Sequence, residues 1–420
     1  MSPDLQSVPS SVPQAWPRVF ERLRAVRSVL AVARCGSAVK AGEAIHLSQP
    51  AVTRAVLDVE RTLGVALFDR IAGGMVATAP GRQVVRRASV MFEQLAAGAL
   101  DARAAAFETV EVRHGERFAA IVSAAGLKAL LAVARSGSEA GAGLALGLSQ
   151  SAVHRALREL ERQVGTVLVH ASPRGTRLSH AGEALLRRAK LTLSEALALE
   201  SDLAAWRGEL RGQITIGVLP LSVAIFLPRA VDTLLRCHPA VNVRIVDGTY
   251  ESLVQMLLVA EVDLILGALR SGPGSAELRQ EVLFDDELAV VARAGHPCLA
   301  RTGLGLAELL QWPWVVPLPG SPAAAAVQRV FSMAGLPAPA GSLQASSPML
   351  TREIVLQTGR LAIASRRQVC ELEADDGARL CVVPVALPGT RRPIGMILRA
   401  ISAPAPDLAA LLDALRAAVA

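Results

Sequence analysis

The chain of 420 residues is long enough for two or three domains with sizeable cores, and 52% of its residues are hydrophobic. This hydrophobic content comes mainly from Ala, Val and Leu, and no run approaches about 18 consecutive apolar residues, so we expect no membrane-spanning helix. The net charge is +7, and the five scattered cysteines argue against a disulfide framework.

The N-terminal segment, residues 1–20, is predicted to be a disordered tail. Residues 1–16 are rich in Ser and Pro and lack the charged-then-apolar order of a secretory signal. We therefore expect the protein to be cytoplasmic.

The next stretch contains an internal repeat. The sequence Leu-Ser-Gln-Pro-Ala-Val-Thr-Arg-Ala at 47–55 returns 101 positions later as Leu-Ser-Gln-Ser-Ala-Val-His-Arg-Ala at 148–156. Residues 30–88 match residues 131–189 at 26 of 59 positions without a gap, far above the handful expected by chance. Two copies of one small domain therefore stand in tandem. We call residues 21–82 the first repeat and residues 117–183 the second repeat.

The first repeat has the pattern of a winged helix-turn-helix. An apolar helix ends at Gly36, a short helix spans 38–45, and a third helix begins after Ser48 as N-cap and runs to Gly64. A two-stranded wing follows, and Thr78 caps a new helix. Apolar residues at three-and-four spacing bury one face of the third helix and leave its polar face exposed.

The polar faces of the two third helices are the predicted DNA-binding sites. In a major groove, Gln pairs with adenine edges, Arg pairs with guanine or phosphate, and the helix N-terminus attracts phosphate. The predicted contacts are Ser48, Gln49, Pro50, Thr53 and Arg54 in the first repeat, and Ser149, Gln150, Ser151, His154 and Arg155 in the second.

Helical periodicity also occurs in three-helix domains that do not bind DNA, but the charge distribution favours a nucleic-acid interface. Residues 18–90 carry 12 Lys and Arg against 5 Asp and Glu, and residues 113–190 carry the same numbers. Each span therefore has a net charge of +7. Because the whole chain has a net charge of +7, the residues outside the two spans have a net charge of −7. A basic half joined to an acidic half indicates a DNA-binding region attached to a domain with another task.

A dozen positions of the first repeat form one pattern, namely Ser48-Gln49-Pro50-Ala51-Val52-Thr53-Arg54, Glu60, Leu63-Gly64, Leu67-Phe68-Asp69-Arg70, Thr78 and Gly81. This pattern resembles the DNA-binding domain of LysR-type transcriptional regulators. One such domain is usual in that family, so the duplication is a departure.

Each repeat also departs from the family pattern in detail. The first has Gly73 where the family's wing usually carries a basic residue, whereas the second keeps Arg174-Gly175 there. The second repeat has Val169 and Ala171 in place of the Phe and Arg of the first. Its short second helix also carries glycines, each of which costs about 1 kcal/mol relative to Ala. These glycines are Gly141, Gly143 and Gly147. We therefore expect the first repeat to be the better base reader.

Past a hinge at 208–212, strands alternate with helices, which predicts parallel βαβ units with ligands at the carboxyl ends of the strands. The predicted strands are 214–218, 241–246, 262–267, 288–292, 314–317, 361–364 and 380–383. The predicted helices lie between Pro228 and His238 and at 251–258, 305–310, 323–334 and 406–420. We expect residues 212–420 to form two α/β lobes, lobe I of 212–290 and 384–420 and lobe II of 291–383.

The C-terminal half carries further motifs, namely Gly217 with Leu227-Pro228, Asp247-Gly248-Thr249-Tyr250, Asp263-Leu264-Ile265-Leu266-Gly267, Phe284-Asp285-Asp286-Glu287-Leu288 and Gly295-His296-Pro297. They resemble the effector-binding domain of the same family, which is similar to type II periplasmic binding proteins. The resemblance implies a small-molecule effector between the lobes, such as a sugar or an organic or aromatic acid. The pair Ser365-Arg366 departs from the family, which often has an apolar residue and Pro there.

By position, the effector would meet six residues. Hydroxyl groups and a helix N-terminus suit a small anion or a polyol, although each hydroxyl is also explained by ordinary helix capping. Arg270, Arg366 and Arg367 either favour an acidic ligand or are solvated surface residues. The six predicted effector-binding residues are Leu221, Ser222, Thr249, Ser321, Ser346 and Ser347.

Two long helices connect these domains. Residues 83–116 form a linker helix and a charged connector, and residues 184–211 form a second linker helix with a long apolar stripe. The first helix pairs either with its twin in another subunit or with its own domain. The second is the better dimerisation candidate because its stripe directly precedes a new domain.

The fold class expected from the whole chain is multidomain: two α-helical winged helix-turn-helix domains followed by an α/β two-lobed effector domain. The resemblance implies a transcriptional regulator that binds double-stranded promoter DNA and a small-molecule effector, contacts RNA polymerase and forms a homodimer or homotetramer. We expect no catalytic residues, no cofactor and no metal site, since no nucleophile-base motif, phosphate loop or metal-ligand spacing is present. The alternatives are a solute-binding protein of the two-lobed type and an enzyme on that fold. Cys370 and Cys381 are either a redox pair, as in some LysR-type proteins, or ordinary thiols.

Overall fold

The computed structural model describes residues 16–72, 74–107, 111–173, 175–219, 223–270, 276–340, 343–372, 379–400 and 403–419. The chain divides into two compact units. The N-terminal unit is Met1–Gly212 with the short segments Val259–Glu261 and Pro404–Asp407, and the C-terminal unit is the rest.

The N-terminal unit contains the same series of elements twice. After a 3-10 turn at Phe20–Arg22, the first series is α1 (Leu23–Cys35), α2 (Ala38–Ile45), α3 (Gln49–Leu63), β1 (Phe68–Ile71), β2 (Gly74–Ala77) and α4 (Ala79–Ala105). A helix α5 (Val112–Ile121) precedes the second series of α6 (Ala124–Ser136), α7 (Glu139–Leu146), α8 (Gln150–Val164), β3 (Val169–Ser172), β4 (Gly175–Leu178) and α9 (His180–Trp206). Every element of the second series begins and ends 101 residues after its counterpart.

The same local signals set the element boundaries in both series. Ser48 and Ser149 adopt extended backbone and accept the N–H of the residue three positions on, so they cap α3 and α8 as predicted. Thr78 caps α4 in the same way. The left-handed glycines Gly64 and Gly165 end α3 and α8. The predicted helices and the two-stranded wings of both repeats are thus present.

Two predicted segments differ from the structure. Residues 1–15 of the predicted tail lie outside the described residues, but Val19 and Phe20 are fully buried, so the end of that tail belongs to the core. Phe20 also stacks on Trp16. The connector predicted up to residue 116 is partly helical, because α5 begins at Val112 and buries Phe118.

The two long helices α4 and α9 pack against each other within one chain. The two repeats share one continuous hydrophobic core that includes residues of both helices. The sequence left open whether α4 packs on its own domain or on another subunit, and favoured α9 for pairing between subunits. The structure gives a third arrangement, in which each long helix is the other's partner in the same chain.

The C-terminal unit begins with β5 (Gly212–Val218), α10 (Phe226–Cys237), β6 (Val241–Asp247), α11 (Tyr250–Leu258), β7 (Leu264–Ala268), β8 (Leu278–Asp286) and β9 (Leu288–Arg293). A 3-10 turn at Pro297–Ala300 leads to α12 (Leu306–Leu309), β10 (Val315–Pro317), α13 (Pro322–Met333), β11 (Leu343–Ala345) and α14 (Pro348–Thr358). The chain ends with β12 (Ala362–Ser365), α15 (Arg366–Leu372), β13 (Leu380–Val382), β14 (Arg392–Arg399) and α16 (Pro406–Val419).

The strands of this unit form three sheets. A five-stranded sheet has the order β6-β5-β7-β14-β8, in which β5 and β7 are parallel and β14 is antiparallel to β7 and β8. A three-stranded antiparallel sheet has the order β12-β9-β13, and β10 and β11 form a parallel pair. The prediction of purely parallel βαβ units therefore holds for only part of this half.

The predicted lobe boundaries at 290 and 384 fall within one hydrophobic cluster. Leu288 and Val290 pack in this cluster, and so do Val385 and Leu387. The division into lobes stays a prediction. The elements β8, β11, α14, α15 and β14 were not predicted.

Among the described residues, no single helix is long and apolar enough to cross a membrane. Helices α5 and α6 reach that length and composition only as a pair, with a bend of 99° between them.

Candidate nucleic-acid interface and effector region

Helix α3 presents the predicted contact residues of the first repeat to solvent. Val52, Val56 and Val59 are buried under the helix, which leaves Ser48, Gln49, Pro50 and Arg54 exposed and Thr53 half-buried on the other side. The Arg54 side chain is held close to the helix because its Nε donates to the carbonyl oxygen of Pro50 at 3.3 Å. The guanidinium group keeps its Nη atoms for an outside acceptor, such as a phosphate or a guanine.

Helix α8 presents the corresponding residues of the second repeat. Val153, Leu157 and Leu160 are buried, while Ser149, Gln150, Ser151, His154 and Arg155 are exposed. Nine of the ten sequence-predicted DNA-binding residues are therefore exposed, and the tenth, Thr53, is half-buried. The hydroxyl oxygens of Ser149 and Ser151 lie 3.0 Å apart.

An acidic residue next to α8 escaped the sequence analysis. The Nδ1 atom of His154 lies 3.2 Å from both carboxylate oxygens of Glu139, which is the first residue of α7. The equivalent position in the first repeat is Ala38, so the first repeat has no carboxylate at this position. The sequence did offer a signal for Glu139, because it directly follows the N-cap Ser138 and acidic residues favour the first turn of a helix.

Two of the three glycines noted in the second repeat, Gly143 and Gly147, have a geometric reason, whereas the first repeat has Lys40 at the position of Gly141. Whether the second repeat reads bases less well than the first stays a prediction. A Cβ at Gly143 would lie 2.7 Å from the carbonyl oxygen of Leu148, and the first repeat has the same close approach at Gly42. Gly147 adopts the left-handed conformation at the C-cap of α7. The equivalent residue of the first repeat, His46, must adopt the same conformation with φ 57°.

The wings are two-stranded antiparallel ribbons in both repeats. Arg70 and Ala171 occupy equivalent exposed positions, so the first wing carries a cation that the second lacks there. Val169 is as fully buried as its larger counterpart Phe68. The wing residues Gly73 and Arg174 lie outside the described residues.

A charged network links α4 to α9. The buried guanidinium of Arg87 contacts Asp202 at 2.8 Å and Glu195 at 3.1 Å, and that of Arg188 contacts Asp101 at 2.8 Å. Burial acts to lower the pKa of Arg87, but the hydrogen bonds and charges of the two carboxylates outweigh it, so the pKa is raised. Arg87 is therefore a permanent buried cation that pairs with two carboxylates of α9.

Lobe II brings three of the predicted effector-binding residues to one edge. Because β10 and β11 are parallel neighbours, Ser321, which follows β10, and Ser346 and Ser347, which follow β11, lie beyond the same ends of the two strands. Ser321 caps α13 and Ser347 caps α14, so two helix N-termini also start at this edge. Oriented N–H groups at such an edge favour an anionic or polar ligand.

The remaining predicted effector residues lie in lobe I or outside the described part of the chain. Thr249 follows β6, and its hydroxyl accepts the N–H of Ser252 at 3.2 Å. The capping alternative therefore describes Thr249, Ser321 and Ser347, whose hydroxyls each accept a helix N–H. Leu221 and Ser222 are outside the described residues.

The arginines considered for an acidic ligand already have partners within this unit. Arg270 contacts Glu251 at 2.6 Å and lies over the Tyr250 ring. The Nε atom of Arg366 lies 3.6 Å from Glu287, and that of Arg367 lies 2.6 Å from Glu371. These contacts pair Arg270 and Arg367 with protein carboxylates, whereas the Nε atom of Arg366 is buried without a hydrogen-bond partner among the described residues.

The unusual Ser365 has a structural role where the chain passes between the lobes. Its buried hydroxyl donates to Oδ1 of Asp286 at 2.9 Å, and Oδ2 of Asp286 accepts from Arg392 at 3.0 Å. Asp286 ends β8, Ser365 ends β12 and Arg392 begins β14, so the carboxylate joins the crossover segments of both lobes.

His296 contacts Cys298 in the interior, where its Nδ1 atom lies 3.0 Å from the cysteine sulfur. The Nε2 atom of His296 lies 2.9 Å from the carbonyl oxygen of Gly359, and its Nδ1 accepts the N–H of Cys298 at 3.2 Å. Burial lowers the pKa of His296 and raises the pKa of the Cys298 thiol. All five cysteines are free, and no cluster of three potential metal ligands occurs among the described residues.

Comparisons with known proteins agree with this arrangement. The family of bacterial regulatory helix-turn-helix proteins of lysR type matches at residues 23–82 and again at 125–183, and the LysR substrate binding domain matches at 207–420. The HTH-type transcriptional regulator GalR of Pseudomonas putida is 33% identical over 395 residues, which cover 94% of this chain and 96% of the relative. This alignment leaves only 25 residues of the chain outside it, fewer than either repeat contains, so the relative has residues aligned with both repeats.

Other relatives align over a shorter part of the chain. The HTH-type transcriptional regulator PcaQ of Agrobacterium fabrum is 30% identical over 296 residues, or 70% of this chain and 93% of the relative. A full-length OxyR variant from Pseudomonas aeruginosa has a TM-score of 0.54 at 20% identity, covering 70% of this chain and 94% of its own. The LysR family regulator CbnR has a TM-score of 0.50 at 21% identity, covering 70% and 98%. These structures show a shared fold.

The substrate-binding model alone spans half of the chain, and the P. putida regulator aligns with nearly all of it. The chain therefore has the LysR-type architecture of an N-terminal helix-turn-helix region followed by a substrate-binding domain, and it belongs to the LysR family of bacterial HTH-type transcriptional regulators.

Proposed function

We propose that both repeats are winged helix-turn-helix domains that bind double-stranded promoter DNA, and that the C-terminal unit is a two-lobed domain of the type II periplasmic-binding-protein kind that senses a small molecule. The exposed polar faces of α3 and α8 carry the first part of this proposal. Each begins with a Ser-capped helix N-terminus and presents Gln and Arg to solvent, which is the chemistry that reads base edges and phosphates.

Charge supports the same function. Each repeat region is +7, whereas the rest of the chain is −7. Within the described residues, neither Arg54 nor Arg155 forms an ion pair with a carboxylate of the chain. Two unpaired guanidinium groups on exposed helices keep their full attraction for phosphate.

The effector-binding part rests on lobe II. Two helices begin at one edge of the β10-β11 pair, each capped by a serine, and hydroxyl and N–H groups there suit a sugar or an organic or aromatic acid. The effector biases lobe closure, and this closure shifts the population of DNA-binding arrangements through the linker helices. The carboxylate of Asp286, which joins both crossover segments, lies at the position where lobes would hinge.

The regulator acts in the cytoplasm without a catalytic step or a cofactor, contacts RNA polymerase at the promoter, and assembles as a homo-oligomer. These partners follow from family membership. The names of the P. putida and A. fabrum relatives, both HTH-type transcriptional regulators, support the same role.

The test is selection of bound duplexes from random DNA with the full-length protein, followed by affinity measurements on the selected sequence. We expect affinity to fall by about 10³-fold or more between about 50 and 200 mM salt, because Lys and Arg contacts release condensed counterions. Association that is independent of salt and of DNA sequence would contradict the proposal.

A matched pair of variants locates the interface. The Gln49→Ala/Arg54→Ala variant removes two predicted contacts and is expected to weaken binding by about 10²-fold or more, since each good base contact is worth about 1–3 kcal/mol. The control is Arg236→Ala, which removes one exposed cation from the C-terminal unit and should leave affinity within about twofold. Equal losses in both variants would show a diffuse charge effect instead of a defined interface.

A further inference from the structure

We propose that one chain is a complete two-headed DNA reader, whose two unlike heads bind two unlike half-sites of a single operator. This inference rests on the proposed function, namely that both repeats bind DNA. It adds that the pairing of heads occurs within the chain and that the operator is correspondingly asymmetric.

The first observation is the direction of the helix pair. Arg87 lies near the start of α4 and contacts Asp202 near the end of α9, while Arg188 lies near the start of α9 and contacts Asp101 near the end of α4. The two helices are therefore antiparallel over nearly their whole length of 27 residues each.

The second observation is an approximate two-fold relation between the repeats. Arg87 and Arg188 are equivalent residues, and their acceptors are equivalent too: Asp202 matches Asp101, and the second acceptor of each arginine also lies at an equivalent position. These second acceptors are Glu195 for Arg87 and Gln94 for Arg188. Because each contact occurs twice with the roles exchanged, a pseudo-two-fold axis passes between the helices.

The ends of the long helices make similar cross-contacts, from arginines at non-equivalent positions to equivalent acceptors. Arg103, in the last turn of α4, donates to the carbonyl oxygen of Val164 at 3.5 Å, at the end of α8 in the second repeat. Arg207, just after α9, donates to the carbonyl oxygen of Leu63 at the end of α3 in the first repeat. Each long helix therefore runs from its own head to the recognition helix of the other.

The contact surfaces of the two long helices are complementary to each other and not to themselves. A Cβ at Gly98 of α4 would lie 2.9 Å from Cβ of Arg188 and 3.0 Å from Cδ1 of Leu185. Leu199 is the buried equivalent of Gly98, and the smaller Val84 is the equivalent of Leu185, so the pseudo-two-fold relation predicts that Leu199 faces Val84. A pair of two α4 helices from different chains would place Gly98 against Val84 and leave voids. A pair of two α9 helices would press Leu199 against Leu185.

This packing favours the pairing of α4 with α9 of the same chain over pairing with a long helix of another chain. The apolar faces of both long helices are buried in the shared core, so they are not available to a second chain without opening the first. Both heads are therefore supplied by one polypeptide.

The dimensions match two adjacent major grooves. A helix of 27 residues is about 40 Å long, and half-sites one helical turn apart are about 34–36 Å from centre to centre. A two-fold axis keeps both heads on the same side of the helix pair, so both meet one face of the duplex.

The half-sites differ because the recognition faces differ. Pro50 and Thr53 of α3 are replaced by Ser151 and His154 of α8, and Glu139 lies beside α8 only. Unlike side chains at equivalent groove positions select unlike base pairs. We therefore expect an imperfect inverted repeat with one half-site for each repeat of the chain.

The experiment uses the full-length protein and a single short duplex that contains both half-sites of the selected sequence. We call these half-sites A and B. Native mass spectrometry should give one chain for each duplex at saturation, even if chains associate further through their C-terminal units. Two chains for each duplex would overturn the inference. No salt-sensitive binding to any duplex would instead contradict the proposed function, so the two failures are distinguishable.

Hydroxyl-radical footprints of two variants assign the heads. Gln49→Ala/Arg54→Ala should lose protection of one half-site, and Gln150→Ala/Arg155→Ala should lose protection of the other. All four residues are exposed, so neither variant disturbs the core, and unchanged thermal unfolding verifies this. Loss of both half-sites in the first variant together with no change in the second would show that two chains pair through their first repeats, which overturns the inference.

Symmetric duplexes complete the test. Duplexes that carry A twice or B twice as inverted repeats should bind at least about tenfold more weakly than the duplex with A and B, because each mismatched base pair reduces affinity. Equal affinity for all three duplexes would contradict unlike half-sites.

Discussion

The two repeats place every helix and strand at the same offset of 101 residues, yet they differ where they touch each other and where they face solvent. The positions that are alike are the backbone determinants: Ser caps, left-handed glycines, and the close approaches at Gly42 and Gly143. The positions that differ include residues on the contact surfaces of α4 and α9 and residues beside the predicted DNA-binding helices. Duplication therefore kept the fold and allowed each copy to specialise toward its neighbour and its ligand.

Arg87 and Arg188 are equivalent in sequence but not in environment, and their removal should have the largest effect. Arg87 is 2% exposed and pairs with two carboxylates, so Arg87→Ala removes the buried cation from Glu195 and leaves Asp202 with Arg86 at 3.5 Å, and it should destabilise the pair by about 3–5 kcal/mol. Arg188→Ala should cost less, about 1–2 kcal/mol, because the Arg188 side chain is 20% exposed and one acceptor is the neutral Gln94.

The measurement is hydrogen exchange of the α4 and α9 amides, which reports the free energy of opening of this helix pair. Equal losses in the two arginine variants would show that the repeats are energetically equivalent at this position, contrary to the difference in burial.

The complementarity of the long helices can be broken at Gly98. Gly98→Leu places a side chain where a Cβ already meets Arg188 and Leu185 within 3.0 Å, so it should destabilise the pair by about 1–3 kcal/mol. Ala104→Leu adds the same side chain at an exposed position of the same helix and serves as control. Thermal unfolding distinguishes the two, and a stable Gly98→Leu protein would contradict the fit between α4 and α9.

The left-handed C-cap of the second helix should respond in opposite directions in the two repeats. His46→Gly relieves a strained φ of 57° and should stabilise the first repeat by about 0.5–1 kcal/mol. Gly147→Ala introduces the same strain in the second repeat, with no atom within 4 Å of the added methyl group, and should destabilise it by about 1 kcal/mol. The free energy of unfolding is measured with urea, and changes of the same sign in the two variants would contradict this explanation.

The smallest effect concerns the carboxylate beside α8. Glu139→Ala removes a negative charge 3.2 Å from His154 and should raise affinity for duplex DNA about two- to fivefold, whereas Ala38→Glu adds that charge to the first repeat and should lower it equally. Both changes in affinity should vanish at high salt concentration, because screening removes the repulsion between the carboxylate and the DNA phosphates. A loss of affinity in Glu139→Ala would mean that Glu139 positions His154 for DNA.

The sequence predicted the repeats well because their boundaries depend on local chemistry. Ser48 and Ser149 cap helices, Gly64 and Gly165 end them, and a gap-free offset of 101 transfers each assignment from one copy to the other. The exposure of the predicted DNA contacts followed from the same periodicity, since burying Val52 and Val56 leaves Gln49 and Arg54 exposed.

The partner of each long helix was not predictable from periodicity. An apolar stripe such as that of α9 fits another subunit, its own domain or α4, and the choice depends on details such as the absence of a side chain at Gly98. The acidic neighbour of His154 was missed for a similar reason, because Glu139 lies 15 residues away and only the tertiary packing of α7 on α8 joins them.

The C-terminal unit was predicted less completely because its sheet joins distant segments. β14, at 392–399, inserts between β7 and β8, and its antiparallel direction leaves no local signal in a chain that otherwise alternates strand and helix. The capping roles of Thr249, Ser321 and Ser347 were anticipated as alternatives, and whether these residues also contact an effector stays a prediction.

The intrachain pairing of α4 and α9 has a consequence for how the regulator responds to its own abundance. A reader assembled from two separate chains falls apart on dilution, so its operator occupancy depends on the square of its copy number at low expression. Here the second head is tethered at a high effective concentration to the first, and occupancy should rise in simple proportion to copy number. A defective head in one chain should therefore leave the paired heads of every other chain intact, since both heads of a reader come from the same polypeptide.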